Sequence, residues 1–271
     1  MQKTNDECAQ RDFHLARTRA LEGLSEDERR RFIGVYREKL LHSTLKFYYQ
    51  PDPAYHEISL GTLVADACTA DANGIAESVE IQTGSFLPLK KKLEKYRAAG
   101  ERVRVVMPLA AKKRIIWVSP EDGSLAKPNQ SPRKGRLTDA LKELYFIRDF
   151  LGEDFLTLDV LLIDMDEYRR QDGWGKGGKR GSHRSERFPV DLAEHHTFRT
   201  PDDYRAFLPS ALGERFDAAA FAKLTRLTPR RANSALHVLM AIGLLKREAE
   251  GRKYVYFVKY RDSEHHEHTQ N

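Results

Sequence analysis

With 271 residues, 40 % of them apolar, the chain can bury a substantial core, and one large domain or a medium one plus a small one is expected. No apolar run approaches the roughly 20 residues that a membrane helix needs, and the amino-terminal stretch is too polar for a secretory signal. The two cysteines, Cys8 and Cys68, have no spacing that suggests zinc or a disulfide framework, so a soluble, cytoplasmic protein is expected. The net charge of +6 arises from 46 basic and 40 acidic residues, and the excess matters only where it is concentrated.

Residues 1–24 read as a polar leader, helical in part. Ser25-Glu26-Asp27-Glu28 then has the form of a capping box, with Ser25 as N-cap. The helix it opens carries Phe32, Tyr36 and Leu40 at helical spacing and stops before Pro51-Asp52-Pro53, since proline lacks the amide a helix requires. Strands are expected at 55–60, 62–69 and 75–83, with Asp71-Ala72-Asn73-Gly74 as the turn between the last two and Cys68 as a small buried hydrophobe. Ser85 opens a helix through Leu87, Leu89, Leu93 and Tyr96 that ends at Gly100. A strand at Val103–Met107 follows, then a strand at 114–118, a basic loop at 128–135, a helix at 137–151 and a strand at 156–164. Helix, three strands, helix, strand describes an α/β core over residues 25–168, with a helical crossover placing the last strand parallel to a neighbour.

From Arg169 to Arg187 glycine and positive charge accumulate, with seven basic residues against two acidic ones, an excess of five. Residues 169–200 are expected to form a linker or a DNA-contacting loop, with Lys176, Lys179, Arg180 and Arg184 facing phosphates.

Within residues 201–262, Asp217 can cap a short helix through Phe221 and Leu224. Thr228-Pro229 opens a second helix, whose stripe Ala232, Ala235, Leu236, Leu239 and Ile242 is apolar. Gly243 ends that helix, and a hairpin with the basic tip Glu250-Gly251-Arg252-Lys253 follows. This order resembles a winged helix, in which the second helix enters the major groove and the wing touches the backbone. The resemblance implies DNA contacts by Arg230, Arg231, Asn233, Ser234 and His237, with Arg252 and Lys253 on the wing. Residues 263–271, with His265, His266 and His268, read as a solvated tail.

The densest chemistry lies earlier. Asp66 is a lone acid in the apolar run Thr62–Cys68, and Glu80-Ile81-Gln82 follows on the next strand. Strand side chains alternate, so Ser78, Glu80 and Gln82 share a face, and a hairpin centred on Asn73 sets Asp66 opposite Glu80. Two carboxylates brought together repel unless a cation neutralises them. The bland alternatives are an Asp66 bonded to the turn at Asn73-Gly74, and Glu80 and Gln82 on the solvated face of an edge strand.

Strand acid, strand Glu-x-Gln and a helix starting near Ser85-Phe86 resemble the restriction-endonuclease-like, or PD-(D/E)XK, nuclease superfamily. The resemblance implies that Asp66, Glu80 and the Ile81 carbonyl hold Mg²⁺ or Mn²⁺, and that Gln82 takes the place of the usual lysine beside the attacking water. Glutamine can hydrogen-bond that water but carries no charge to stabilise hydroxide. Glu57, and more weakly Glu38, are candidates for an extra ligand, and Lys90, Lys91 and Lys92 for phosphate contacts. DNA is the implied partner, a homodimer is compatible with two strand cuts, and the competing reading is a DNA-binding regulator without cleavage. No Gly-x-Gly-x-x-Gly or Gly-Lys-Ser/Thr follows a strand, which disfavours a nucleotide-binding enzyme.

Overall fold

Alternation and continuous apolar runs divide the strands into two kinds. Strand β2 (Leu63–Ala70) buries Leu63, Ala65 and Ala67 and exposes Val64, the period-two signature of a half-covered strand. The first residues of β4 (Val103–Val118) are buried without interruption, as a parallel strand covered on both faces must be. The structure, a computed structural model, describes residues 2–22, 39–70, 74–119, 121–170 and 183–259. The expected features at Ser25, Phe32, Tyr36, Glu38, Asn73, Lys176, Lys179, Arg180 and residues 263–271 lie outside these.

The principal sheet has the order β1-β2-β3-β4-β6-β7, where β1 is His56–Leu60, β3 Ala76–Ile81, β6 Leu156–Arg170 and β7 His183–Phe198. A short β5 (Asn129–Gln130) pairs with β4. Strands β3, β4 and β6 are parallel, while β1–β2, β2–β3 and β6–β7 are antiparallel. The mixed sheet confirms the α/β class.

Helices α1 (Gln2–Glu22) and α2 (Lys39–Tyr49) cover one face, where Phe13, Leu41 and Leu45 share a core with Val79, Ile81, Val106 and Leu161. The leader therefore belongs to the folded body: Phe13, Ala16 and Ala20 are buried, and the Gln10 side chain donates to the Leu192 carbonyl of β7. Helix α3 (Leu89–Ala99) and the segment 137–150 cover the other face. Helix α3 starts at Leu89 rather than at Ser85, because the residue before Pro88 is kept out of helical backbone. Its end at Gly100, with φ 69°, is a left-handed cap that glycine supplies without strain. The segment 137–150 is one turn of α-helix, α4 (Leu141–Leu144), between two 3₁₀ stretches.

Two further expectations change. The strands foreseen at 103–107 and 114–118 form one strand, β4, irregular between Ala110 and Lys113. The segment 169–200 is not simply a linker, because residues 183–198 form β7, paired with β6 along its length. Its charged residues and Pro189 conceal a strand, yet β7 lies at the sheet edge and Pro189 beside a register shift, where proline is tolerated. Arg184 lies in this strand.

The C-terminal unit contains α5 (Ala218–Thr225), α6 (Pro229–Ala241) and a three-stranded sheet β8-β10-β9, from Arg215–Asp217, Lys253–Val258 and Leu245–Glu250. Asp217 caps α5 by accepting from the Ala220 amide at 2.8 Å. Leu236, Leu239 and Tyr256 of this unit belong to the same apolar core as Leu141, Leu144 and Phe150 of the principal body. Helix α6 thus packs on its own unit and on the principal body.

Candidate functional site

The β2–β3 ladder pairs Ala70 with Ala76, Cys68 with Ser78 and Ala67 with Val79. One step further, Asp66 stands across from Glu80, as the hairpin spacing predicts, but there the strands part: Ala65 and Val64 pair with β1, and Glu80 and Ile81 pair with β4. A parallel ladder uses the groups of alternate residues. The Gln82 amide bonds to the Val106 carbonyl, so the amide and carbonyl of Ile81 turn toward the gap. Asp66 fills it, its Oδ2 accepting from the Ile81 amide at 2.7 Å.

Each acid is held from a different layer. His42 of α2 lies 3.3 Å from Asp66 Oδ2. Glu80 is 1 % exposed and accepts from Lys92 Nζ at 2.6 Å and from the Tyr96 hydroxyl at 2.6 Å, both on α3. Lys92 also donates to the Val64 carbonyl at 2.7 Å, bridging the two strands. Asp66 bonds to Ile81 and His42, and β3 is an interior strand whose Glu80 is buried.

The electrostatics separate the two acids. Burial pushes Asp66 up, but its His42 hydrogen bond and charge, the Ile81 amide and Lys92 outweigh it and leave the carboxyl below its ordinary value. Burial likewise pushes Glu80 up, and there it prevails over Lys92 and Tyr96, aided by the negative charge of Asp66. Burial and Glu80 together raise Tyr96 far above an ordinary phenol, so it stays a donor.

Gln82 is half-buried beside the pair, its backbone fixed by Val106. Glu57 lies next to Asp66 in the β1–β2 ladder, but its left-handed backbone, φ 54°, interrupts that ladder. Its exposed side chain accepts from Lys46 at 2.7 Å instead of joining the pair. Asp66 and Glu80, opposite each other in the register, and the Ile81 carbonyl beside them are oxygen donors of the kind a hard divalent cation takes, though each carboxylate is held from a different layer. Among the described residues no group of three His, Cys, Asp or Glu side chains is arranged to hold a metal ion. Metal binding through Glu80 therefore requires Lys92 or Tyr96 to yield an oxygen.

A second polar cluster carries no local motif. Asp159 of β6, 0 % exposed, accepts at Oδ2 from the Tyr49 hydroxyl at 2.7 Å and from Arg104 at 2.8 Å, with His195 at 3.2 Å. Arg104 also bonds Glu77 at 2.8 Å, so the chain of charges crosses β3, β4, β6 and β7 beneath α2. Burial pushes Asp159 up, but His195, Arg104 and Tyr49 hold it well below the ordinary carboxylate range. Its only sequence signal is a lone acid in an apolar strand, the signal that also marks Asp66.

In the C-terminal unit Arg230, Asn233 and His237 are exposed along α6, and Arg252 and Lys253 at the hairpin tip. Ser234 is half-buried and donates to the Arg230 carbonyl at 3.2 Å. The far end of this row is flanked by the principal body, since the His237 ring stands 6.4 Å from that of Tyr145. Arg231 is half-buried and lines a cleft toward the loop at 132–136.

No helix among the described residues is long and apolar enough to cross a membrane. A protein of Treponema pallidum (strain Nichols), described as uncharacterized, is 27 % identical over 184 residues, 68 % of this chain and 71 % of that protein. No solved structure matches. A family model described as a domain of unknown function, DUF8091, matches residues 39–199, from the start of α2 to just past β7, and over more than half its length the chain belongs to that family.

Proposed function

We propose that the protein is a Mg²⁺- or Mn²⁺-dependent DNA endonuclease, its α/β core a restriction-endonuclease-like, PD-(D/E)XK, fold and its C-terminal unit a winged helix. The observation that carries this reading is the opposition of Asp66 and Glu80 across parted strands, with an ammonium 2.6 Å from Glu80. Asp66, Glu80 and the Ile81 carbonyl hold the metal. A divalent cation held by these groups would supply water activation and charge neutralisation at the phosphate. Gln82 positions water by hydrogen bonding, and Lys92 supplies beside it the positive charge that glutamine lacks. His42 keeps Asp66 ionised and oriented. Arg230, Asn233 and His237, with Arg252 and Lys253, meet DNA.

A second reading rests on the saturation of Glu80. Both its oxygens are bonded and it is almost fully enclosed, as suits a structural carboxylate in a DNA-binding regulator that no longer cleaves. Incubation of supercoiled plasmid with Mg²⁺ or Mn²⁺ separates the two. Nicking by the wild type that Glu80→Ala abolishes supports the nuclease; equal DNA binding by both proteins with cleavage by neither supports the regulator.

A further inference from the structure

Between the principal body and the C-terminal unit lies a cleft of about 280 Å³. Arg133, Lys134 and Arg136 line it from the loop after β5, and Arg226, Thr228 and Arg231 from the α5–α6 turn and the start of α6. Asp139 is the single acid in its wall, and it already accepts from Arg133 at 3.1 Å and from the Arg136 amide at 3.2 Å. Among the described residues Lys134, Arg226 and Arg231 have no carboxylate within ion-pair distance, so their charge faces the cleft uncompensated.

The backbone around the cleft is built to keep its walls in place. Gly135 lies flat on the irregular part of β4: its amide donates to the Ala111 carbonyl at 2.8 Å, and a Cβ there would stand 2.0 Å from the Ala110 carbonyl oxygen. Only glycine permits that approach, so the basic loop is fixed to the sheet. On the opposite wall Arg226 holds a left-handed backbone, φ 55°, that glycine would occupy without strain. Arg136 joins the walls by donating to the Thr225 carbonyl at 3.5 Å.

Gly135, between the lining residues Lys134 and Arg136, ties the loop to β4 beyond the strand segment that pairs with Ile81. Val106 of β4 stands beside Ile81, and Ala110 is four residues further in the same direction, roughly 13 Å at strand rise.

We propose that this cleft binds phosphate and takes the backbone of nucleic acid, so that the loop of the principal body and the turn of the C-terminal unit grip one strand together. The assignment to nucleic acid rests on the DNA reading above; the cationic cleft itself does not. Each phosphate neutralised by a cation releases counterions, which makes the contribution of every side chain measurable.

The test measures binding of a fluorescent 20-base-pair duplex and of inorganic pyrophosphate by the full chain carrying Lys134→Ala, Arg226→Ala and Arg231→Ala together, beside wild type and Glu121→Gln. The expected result for the triple variant is at least about tenfold weaker duplex binding, with the slope of log affinity against log salt shallower by roughly 2.7, about 0.9 per lost contact. Glu121→Gln, on the exposed turn after β4 and outside both the cleft and the carboxylate pair, should bind as wild type does. Duplex binding unchanged in the triple variant overturns the proposal while leaving the nuclease reading intact. If wild type binds no duplex but pyrophosphate raises its melting temperature and not that of the triple variant, the phosphate site stands and its assignment to nucleic acid falls. No response to either probe overturns both parts. A circular-dichroism spectrum and melting temperature equal to wild type for the triple variant establish that the comparison is between folded proteins.

Discussion

The molecule places two clusters of acids and bases on one sheet and treats them in opposite ways. Around Asp159, three partners converge on one carboxylate, which stays ionised although it is wholly enclosed. Around Glu80, a single ammonium and a phenol face a buried carboxylate that also feels Asp66, and its pKa rises. Burial is common to both, so the number and charge of the partners decides the direction. The first cluster cross-links the sheet; the second leaves a buried carboxylate less fully compensated, beside Asp66.

Several changes break or sharpen this contrast. The largest effect is expected from Glu80→Gln, which removes charge and keeps shape: metal-dependent plasmid nicking should fall by about 10³-fold, equivalent to about 4 kcal/mol at the transition state, with duplex affinity unchanged. Retention of nicking would show that Glu80 is only structural. Next, Arg104→Met leaves Glu77 and Asp159 enclosed without their cation, and urea denaturation should register a loss of roughly 3–5 kcal/mol.

Asp159→Asn should cost about 3 kcal/mol near neutrality, and its pH dependence is distinctive. Because the folded-state pKa is depressed, the stability that Asp159 contributes is present above the ordinary aspartate value of about 3.9 and is lost as pH falls through that value toward the folded one. Melting temperatures followed from pH 7 down to pH 3 should therefore drop less for Asp159→Asn than for wild type; parallel curves would remove Asp159 from the acid response. Lys92→Met should slow nicking about a hundredfold, equivalent to about 2.7 kcal/mol, and a rate equal to wild type would return the polarising role to Gln82 alone. The smallest effect belongs to Tyr96→Phe, which deletes one buried hydrogen bond and should cost about 1 kcal/mol in chemical denaturation.

What the sequence discloses follows from range. The opposition of Asp66 and Glu80 was legible because a tight hairpin and a period of two fix it locally. The partners of Asp159 were not, since Tyr49, Arg104 and His195 come from three distant segments and no spacing connects them. Strand β7 was hidden by its composition: His, Arg, Glu and Asp with an internal Pro189 look like a loop until the edge position explains them. Lys92 was visible only as one of three consecutive lysines, and the turn of α3 alone determines which of them reaches Glu80.

The apolar core that joins α6 to the principal body has a mechanical meaning. Leu236, Leu239 and Tyr256 cannot leave Leu141, Leu144 and Phe150 without exposing apolar surface to water, so the two parts melt together and do not swing on a tether. The separation between the exposed row of α6 and the gap beside Glu80 is then a constant of the molecule. If, as proposed, DNA spans both, it is measured against a fixed rule, and changing the spacing of its contacts by one base pair should change its fit in steps.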